Sequence, residues 1–333
     1  MTIDWIRARR RTTLAAVAMA VLGTCSVSAQ TCSAQTWPSR PVTIIVPFTA
    51  GTTADIMGRS LTQYLSDTLG QSFVIDNRGG AAGNIGAAAV ARAPHDGYTL
   101  LLATTGQAAT NKLMYENMSF DPERDFAPVM LVGKSPVLIT ARADAPFSTL
   151  KEFIDYARAN PDKLNAGSPG NGTLGHITSI LLQSTAGIKF GAVQYRGAPN
   201  IITDLIGKNI DIAFDSMAAY VSTIQSGQVK ALAMAGAQRW SKLPNVATVS
   251  ESGLPGFEAT VWYALLAPAG TPADIVAKLN AAANAYLKSD KAKSLFDDLG
   301  IQPAGGTPQD LKEFMASEAQ KWAPIIKAAN IKF

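Results

Sequence analysis

The chain has 333 residues, of which 47% are hydrophobic and 16% charged, and its formal net charge is +4. This length allows two domains, and this composition predicts a globular chain with a substantial buried core. The two cysteines and two histidines do not suggest a disulfide framework or a metal cage, because His95 and His176 are far apart and no thiolate pair accompanies them.

Residues 1–29 are predicted to be a secretory signal peptide. Arginines at positions 7, 9, 10 and 11 form a basic region, an apolar core too short to span a bilayer follows, and residues 27–29 fit a small-residue cleavage site. Without this segment the net charge falls to about +1, and no basic run follows residue 40, so we expect no nucleic-acid partner. We expect a periplasmic protein that starts near Gln30; a lipid anchor at Cys25 is the less favoured alternative.

The first unit of the mature chain is a strand, a tight loop and the start of a helix. Val42–Val46 is a short, β-branched apolar run typical of a buried strand, and Pro47 ends it. Gly51 permits a turn, and Thr52 or Thr53 can cap the helix that follows. Such a helix N-terminus suits a carboxylate or a phosphate, although an ordinary α/β turn without a ligand is the alternative.

Further strand–loop–helix units predict a mostly parallel sheet covered on both faces. Two units at residues 73–92 and 98–114 extend the first series, and a second series occupies residues 149–235. Two apolar strands, at residues 129–132 and 137–140, lead from one series to the other. Residues 262–267 then return as a strand, and we expect the C-terminal helices to pack on the first series. Ligands of such sheets collect at the carboxyl ends of the strands.

Catalytic motifs are absent from the sequence: there is no G-x-S-x-G elbow, no Walker A motif and no H-E-x-x-H. A triad of Ser168, His176 and Asp215 can be imagined, but their spacing does not support it. We therefore expect a protein that is not an enzyme and uses no cofactor and no metal. A secreted hydrolase, acting on a small carboxylate or ester through Ser168 or another nucleophile, is the alternative.

Five motifs occur in an order that resembles one known family. They are residues 47–55 (Pro-Phe-x-x-Gly-x-x-x-Asp), 77–86 (Asn-Arg-x-Gly-x-x-Gly-Asn-Ile-Gly), 95–98 (His-Asp-Gly-Tyr), 170–173 (Gly-Asn-Gly-Thr) and 265–272 (Leu-Leu-Ala-Pro-Ala-Gly-Thr-Pro). Together they resemble the Bug-type periplasmic solute-binding proteins of tripartite tricarboxylate transporters, over nearly all of the chain after the signal.

The resemblance implies an α/β, two-lobed periplasmic-binding-protein (Venus flytrap) fold, type II-like. The first lobe would comprise residues 36–137 plus 260–333, and the second residues 138–259. The lobes of a monomer would close on a small organic carboxylate and deliver it to membrane transporter subunits or to a sensor. Where the family more often has two glycines in the first loop, this chain has Gly51-Thr52.

The candidate ligand-binding residues lie in the loops that would face each other across the lobes. Hydroxyls and backbone amides of these loops would hold the carboxylate, Asp215 would meet a ligand donor or a water, and the aromatics would wall the cleft. The alternatives are capping, turn chemistry and core packing; for Asp55 we expect a structural role in ordering its loop. The candidates are Phe48, Ala50, Gly51, Thr52, Thr53, Asn84, Thr105, Ser168, Gly172, Thr173, Tyr195 and Asp215.

Overall fold

The computed structural model describes residues 37–333, so the predicted signal peptide and Cys25 lie outside the described residues. Pro38–Phe333 form one compact unit. Within residues 37–333, no helix has the length and apolar character needed to cross a membrane.

The first sheet is built from the predicted strand–loop–helix units. Strands β1 (Val42–Val46), β2 (Phe73–Asn77) and β3 (Thr99–Thr104) are parallel, with β1 in the middle. Helices α1 (Thr53–Leu69) and α2 (Asn84–Ala91) connect them. The middle strand is the most covered: of the five residues of β1, only Thr43 is not fully buried, whereas Val74 of β2 is exposed. Because the three strands are parallel, their carboxyl ends share one edge of the sheet.

A single long strand, β4 (Phe126–Arg142), carries the chain from the first sheet to the second. The expectation of two strands, at residues 129–132 and 137–140, is wrong because Pro136 does not interrupt the strand. Up to Pro136, β4 pairs antiparallel with β9 (Thr260–Pro268), which also pairs with β3. Pro136 is the last residue of β4 that pairs with β9, and from Val137 onward β4 pairs with strands of the second sheet. Proline has no backbone N–H, and here that group would lie at the end of a hydrogen-bond ladder, where its loss costs little.

The second sheet repeats the pattern of the first. Strands β5 (Asn165–Ser168), β6 (Gly191–Gln194) and β7 (Ile212–Ser216) are parallel. Strands β7 and β8 (Val229–Met234) flank the second half of β4 in antiparallel pairing. Helices lie between these strands in the chain order that the sequence predicts. The elements are α3 (Leu150–Ala159), β5 (Asn165–Ser168), α4 (Leu174–Ala186), β6 (Gly191–Gln194), α5 (Ala198–Ile206), β7 (Ile212–Ser216), α6 (Val221–Gln225) and β8 (Val229–Met234).

After β3, the predicted helix to residue 114 is replaced by two short irregular helices. Gly106–Thr110 forms a π-helical turn, and Asn111–Leu113 forms a 3-10 turn. Polar side chains compete with a regular helix here, since Gln107 Oε1 accepts hydrogen bonds from the backbone N–H and the hydroxyl of Thr104.

The C-terminal elements are α7 (Ala273–Lys288), α8 (Asp290–Leu299), β10 (Gln302–Gly305) and α9 (Pro308–Ala328), and β10 pairs with β4. The expectation that these helices pack on the first series describes only the first half of α9. Its first half contributes Leu311 and Met315 to the apolar core of the first sheet, and its second half contributes Trp322 and Ile326 to the core of the second. Helix α9 therefore spans both cores.

Candidate functional site

Loops at the carboxyl ends of strands from both sheets meet around a small cavity, here called the inner cavity. Its volume is about 50 Å³, which leaves room for at least a carboxylate group. Residues that follow β1, residues at the end of β3 and residues of β9 line one side. Residues that follow β5 and β6 and the last residues of β7 line the other. The lining residues are Phe48, Thr52, Thr53, Ala54, Thr104, Thr105, Pro169, Thr173, Leu174, Gly175, Ala198, Asp215, Ser216, Val261 and Tyr263.

Three helices begin at the inner cavity. The first turns of α1 and α4 contribute Thr53, Ala54, Leu174 and Gly175 to its wall, and α5 contributes its first residue, Ala198. N–H groups in the first turn of a helix have no intrahelical partner, and the positive end of each helix dipole lies beside them. The cavity is therefore suited to an anion, although none of its lining residues is a lysine or an arginine.

The loop before α1 is fixed by a buried carboxylate, as the sequence predicts for Asp55. Its Oδ2 accepts hydrogen bonds from the backbone N–H of Gly51 (2.9 Å) and from Arg59 Nε (3.0 Å). Burial tends to raise the pKa of Asp55, but the bonds from Arg59 and Gly51 outweigh it and hold this pKa below its usual value. The carboxylate thus stays ionised and neutralised by Arg59 while it shapes the loop.

The threonine hydroxyls at the inner cavity already donate to protein acceptors. Thr52 Oγ1 donates to the carbonyl of Thr49 (3.0 Å), and Thr173 Oγ1 donates to the carbonyl of Gly170 (2.8 Å). Thr173 is also the N-cap of α4, as its Oγ1 accepts from the backbone N–H of His176 (3.5 Å). The groups left to donate to an anion are therefore the backbone amides rather than these two hydroxyls.

Asp215 lies at the end of β7 and borders the inner cavity. Its Oδ1 accepts a hydrogen bond from the backbone N–H of Ser216 (2.7 Å), whereas its Oδ2 is buried and has no hydrogen-bond partner among residues 37–333. Burial raises the pKa of Asp215 to about 7, against the lowering effects of the Ser216 N–H and of the nearby Tyr220 hydroxyl. Near neutral pH this carboxyl group can be uncharged, and it then offers a proton as well as an acceptor.

Direct contacts join the loops of the two sheets around the inner cavity. Tyr263 on β9 donates its hydroxyl to Ser216 Oγ (2.9 Å), and Thr53 Oγ1 lies 3.4 Å from the same oxygen. On the outer side, a Cβ added to Gly197 would lie 2.6 Å from Thr49 Oγ1. The two sets of loops are therefore in a closed arrangement.

Half of the candidate residues border the inner cavity. Thr105 does so from the end of β3, although its Oγ1 accepts a hydrogen bond from the backbone N–H of Trp262 (3.1 Å) and so also joins two elements of the first sheet. The bordering candidates are Phe48, Thr52, Thr53, Thr105, Thr173 and Asp215.

The other half do not border the inner cavity. Ser168 donates its hydroxyl to Gln194 Oε1 (2.7 Å) on the neighbouring strand, and Asn84 Oδ1 accepts from Asn111 Nδ2 (2.6 Å). Tyr195 donates to Asp204 Oδ2 (2.6 Å) and lines a different cavity farther out. The candidates in this group are Ala50, Gly51, Asn84, Ser168, Gly172 and Tyr195.

Ser216 and Tyr263 at the inner cavity were not among the candidates. Tyr263 lies within an apolar strand, where the sequence gives no signal that distinguishes a wall residue from a core residue. Ser216 directly follows Asp215 at the end of β7. Its position at the carboxyl end of a strand could have indicated that it lies near a ligand site.

The geometry defines a class of protein before any relative is considered. The expectation of a mostly parallel sheet is wrong, because β4, β8, β9 and β10 add antiparallel pairings to the parallel strands of both sheets. Two mixed sheets, joined through the long strand β4 and closing their loops on one anion-suited cavity, form the two-lobed fold of periplasmic binding proteins. The family model described as "Tripartite tricarboxylate transporter family receptor" matches residues 57–331, and the chain belongs to this family.

The relatives agree along nearly their whole length. Protein BugT of Bordetella pertussis is 33% identical over 322 residues, which are 96% of this chain and 98% of BugT. The solved structure of R. palustris Rpa4515 with adipate has a TM-score of 0.86 at 38% identity, covering 89% of this chain and 99% of that one. MatC from Rhodopseudomonas palustris with bound malate has a TM-score of 0.84 at 33% identity, covering 87% of this chain and 100% of that one.

Proposed function

We propose that this protein is an extracytoplasmic solute-binding protein that captures a small organic carboxylate between two lobes. The observation that carries the proposal is the convergence of the N-termini of α1, α4 and α5, from both sheets, on one cavity. Backbone amides would bind a carboxylate through charge-assisted hydrogen bonds, without a buried lysine or arginine. Ligands of relatives support the same class, since those proteins bind adipate and malate.

The proposed lobes are residues 36–137 plus 260–333 and residues 138–259. The exchange of partners along β4 between Pro136 and Val137 supports this division. A ligand that touches both sets of loops would stabilise the closed arrangement, and the closed form would be recognised by membrane transporter subunits or by a sensor.

We place the mature protein in the periplasm, as a monomer released from a signal peptide after Ala29. Membership in a family of transporter receptors supports this location. Intact mass of protein recovered from the periplasm tests the cleavage site, and a lipid-bearing species that retains Cys25 would contradict it.

The geometry of Ser168 and His176 does not support the hydrolase alternative. The Ser168 hydroxyl donates to Gln194, and His176 Nδ1 accepts from the backbone N–H of Gly172 (3.2 Å). Burial lowers the pKa of His176 to about 4, which makes it a weak base near neutral pH.

Calorimetric titration with adipate and malate tests the proposal, with the uncharged amides of the same acids as matched controls. We expect saturable binding of at least one acid, no binding of its amide, and recovery of the acid unchanged by NMR. Absence of binding across mono-, di- and tricarboxylates would overturn the function, and conversion of a bound compound would favour the hydrolase.

A further inference from the structure

A second and larger cavity lies outside the inner one, and we call it the outer cavity. Its volume is about 500 Å³, and it shares Phe48 and Pro169 with the inner cavity. Pockets that hold small organic molecules typically have about 300–1,000 Å³. The inner cavity can therefore take one end of a ligand, and the outer cavity has room for the remainder.

Four aromatic rings line the outer cavity, beside glycine, alanine and proline residues. Phe48 and Tyr115 come from the first-sheet side, Tyr195 from the second, and Phe333 packs 5.4 Å from the Tyr115 ring, centroid to centroid. The Tyr195 hydroxyl donates its hydrogen bond to Asp204 Oδ2. Such walls favour an apolar or aromatic ligand body through burial of apolar surface.

The only charged side chain that lines the outer cavity is Arg196. It is exposed and makes no ion pair with the acidic groups of residues 37–333. Thr49 Oγ1 donates to its backbone carbonyl (3.4 Å), which brings the arginine beside the loop of the opposite sheet. A guanidinium that makes no ion pair with an acidic side chain of the described residues is suited to a carboxylate from a ligand.

The wall opposite Arg196 has a fixed and unusual backbone. Four consecutive residues, Gly80, Ala81, Ala82 and Gly83, have positive φ angles of 123°, 48°, 51° and 85°. Alanine rarely adopts this conformation, and Gln107 holds the turn by donating its side-chain amide to the carbonyl of Ala82. This wall is thus held in place rather than free to collapse into the outer cavity.

We propose that the outer cavity binds the distal part of an elongated dicarboxylate with an apolar or aromatic body, and that Arg196 pairs with its second carboxylate. The first carboxylate occupies the inner cavity, so this inference rests on the proposed function. Arg196 is then a specificity-determining residue that separates dicarboxylates from monocarboxylates of the same length.

The test is calorimetric titration with matched pairs of linear acids. The dicarboxylates adipate, suberate and sebacate are compared with hexanoate, octanoate and decanoate, on the unmodified protein, on Arg196→Gln and on Arg92→Gln. Arg92 is an exposed arginine that lines neither cavity, so its variant controls for loss of a surface charge. We expect Arg196→Gln to weaken the best dicarboxylate by about tenfold or more, to change its monocarboxylate by less than twofold, and Arg92→Gln to change neither.

Charge reversal gives a second, independent readout. In Arg196→Glu we expect the preference to move from the dicarboxylate to the ω-amino acid of the same length, such as 6-aminohexanoate in place of adipate. If dicarboxylates bind and both Arg196 variants leave their affinities and this preference unchanged, the role of the outer cavity is overturned while the proposed function stands. If no carboxylate binds the unmodified protein, the proposed function itself fails.

Discussion

Replacing Asp215 by Asn should change how the stability of the protein depends on pH. In the native state the pKa of this carboxyl is raised from 3.8 to about 7 by burial, while in the unfolded chain it is ordinary. Between these values the native state binds more protons than the unfolded state, so the free energy of unfolding falls as the pH rises. Above pH 7 the native state carries a buried carboxylate whose Oδ2 has no hydrogen-bond partner among the described residues.

The size of the effect follows from the pKa. From pH 5 to pH 8 the native carboxyl loses its proton near pH 7, so Asp215 lowers the free energy of unfolding by roughly 2–3 kcal/mol, or about two pH units at about 1.36 kcal/mol each. Asp215→Asn removes this dependence. Relative to the unmodified protein, the variant should therefore gain stability between pH 5 and pH 8, by up to this amount.

Urea denaturation at both pH values measures the difference, and Asp162→Asn is the matched control. Asp162 is exposed and has a φ of 58°, a conformation that asparagine also tolerates. Any fixed cost of placing an amide at position 215 applies at both pH values and cancels in the comparison. A stability change of equal size at pH 5 and pH 8 would refute the reasoning, since it would show that Asp215 does not titrate between them.

Three further predictions concern closure and the first loop. Gly197→Ala should weaken carboxylate binding by about tenfold, because its Cβ would lie 2.6 Å from a facing threonine oxygen. Overpacking of this kind costs about 1–3 kcal/mol. Gly79→Ala is the control in the same titration, because its Cβ has no neighbour closer than 3.6 Å. Tyr263→Phe should weaken the same binding about two- to tenfold, because it removes the hydroxyl that donates to Ser216. If small-angle X-ray scattering shows that ligand compacts the variant as much as the unmodified protein, a role of Tyr263 in closure is contradicted. Asp55→Asn should destabilise the protein at pH 7 by about 1.5–3 kcal/mol. This loss should shrink as the pH falls below the ordinary value of 3.8 and through the lowered pKa of native Asp55, because the ionised carboxylate is what stabilises the fold. A loss that stays constant over this acidic range in urea denaturation would contradict this.

The elements of the fold were largely predictable because their signals are local. The strand–loop–helix pattern at Val42–Val46 and α1 depends on apolar periodicity, a turn glycine and a capping position, all adjacent in sequence. The continuity of β4 was not predictable, because Pro136 is a strand breaker locally and is tolerated only where two ladders exchange. The irregular turns after β3 likewise depend on how Gln107 bonds to the strand before them.

For the site, the sequence identified the loops better than the individual donors. Residues of the polar loops at strand ends meet in the structure, where Thr52, Thr53, Thr173 and Asp215 all border the inner cavity. Sequence alone does not say where a hydroxyl proton goes, so the bond from Thr173 to Gly170 could not be foreseen. Ser168 illustrates the same limit, since its partner, Gln194, comes from a strand that is adjacent only in the folded sheet.

Helix α9 has a consequence for how such a molecule can move. Leu311 and Met315 hold one end in the first core, while Trp322 and Ile326 hold the other end in the second. A strand twists with little resistance, whereas a helix changes its length or curvature only at a cost in free energy. Pro324 removes one hydrogen bond inside α9, so any bend of this helix should occur there. We therefore expect α9 to act as a strut that keeps the two cores at a constant separation along its axis. Opening would then be a rotation about a line near this strut, with the largest displacements at the loops farthest from it.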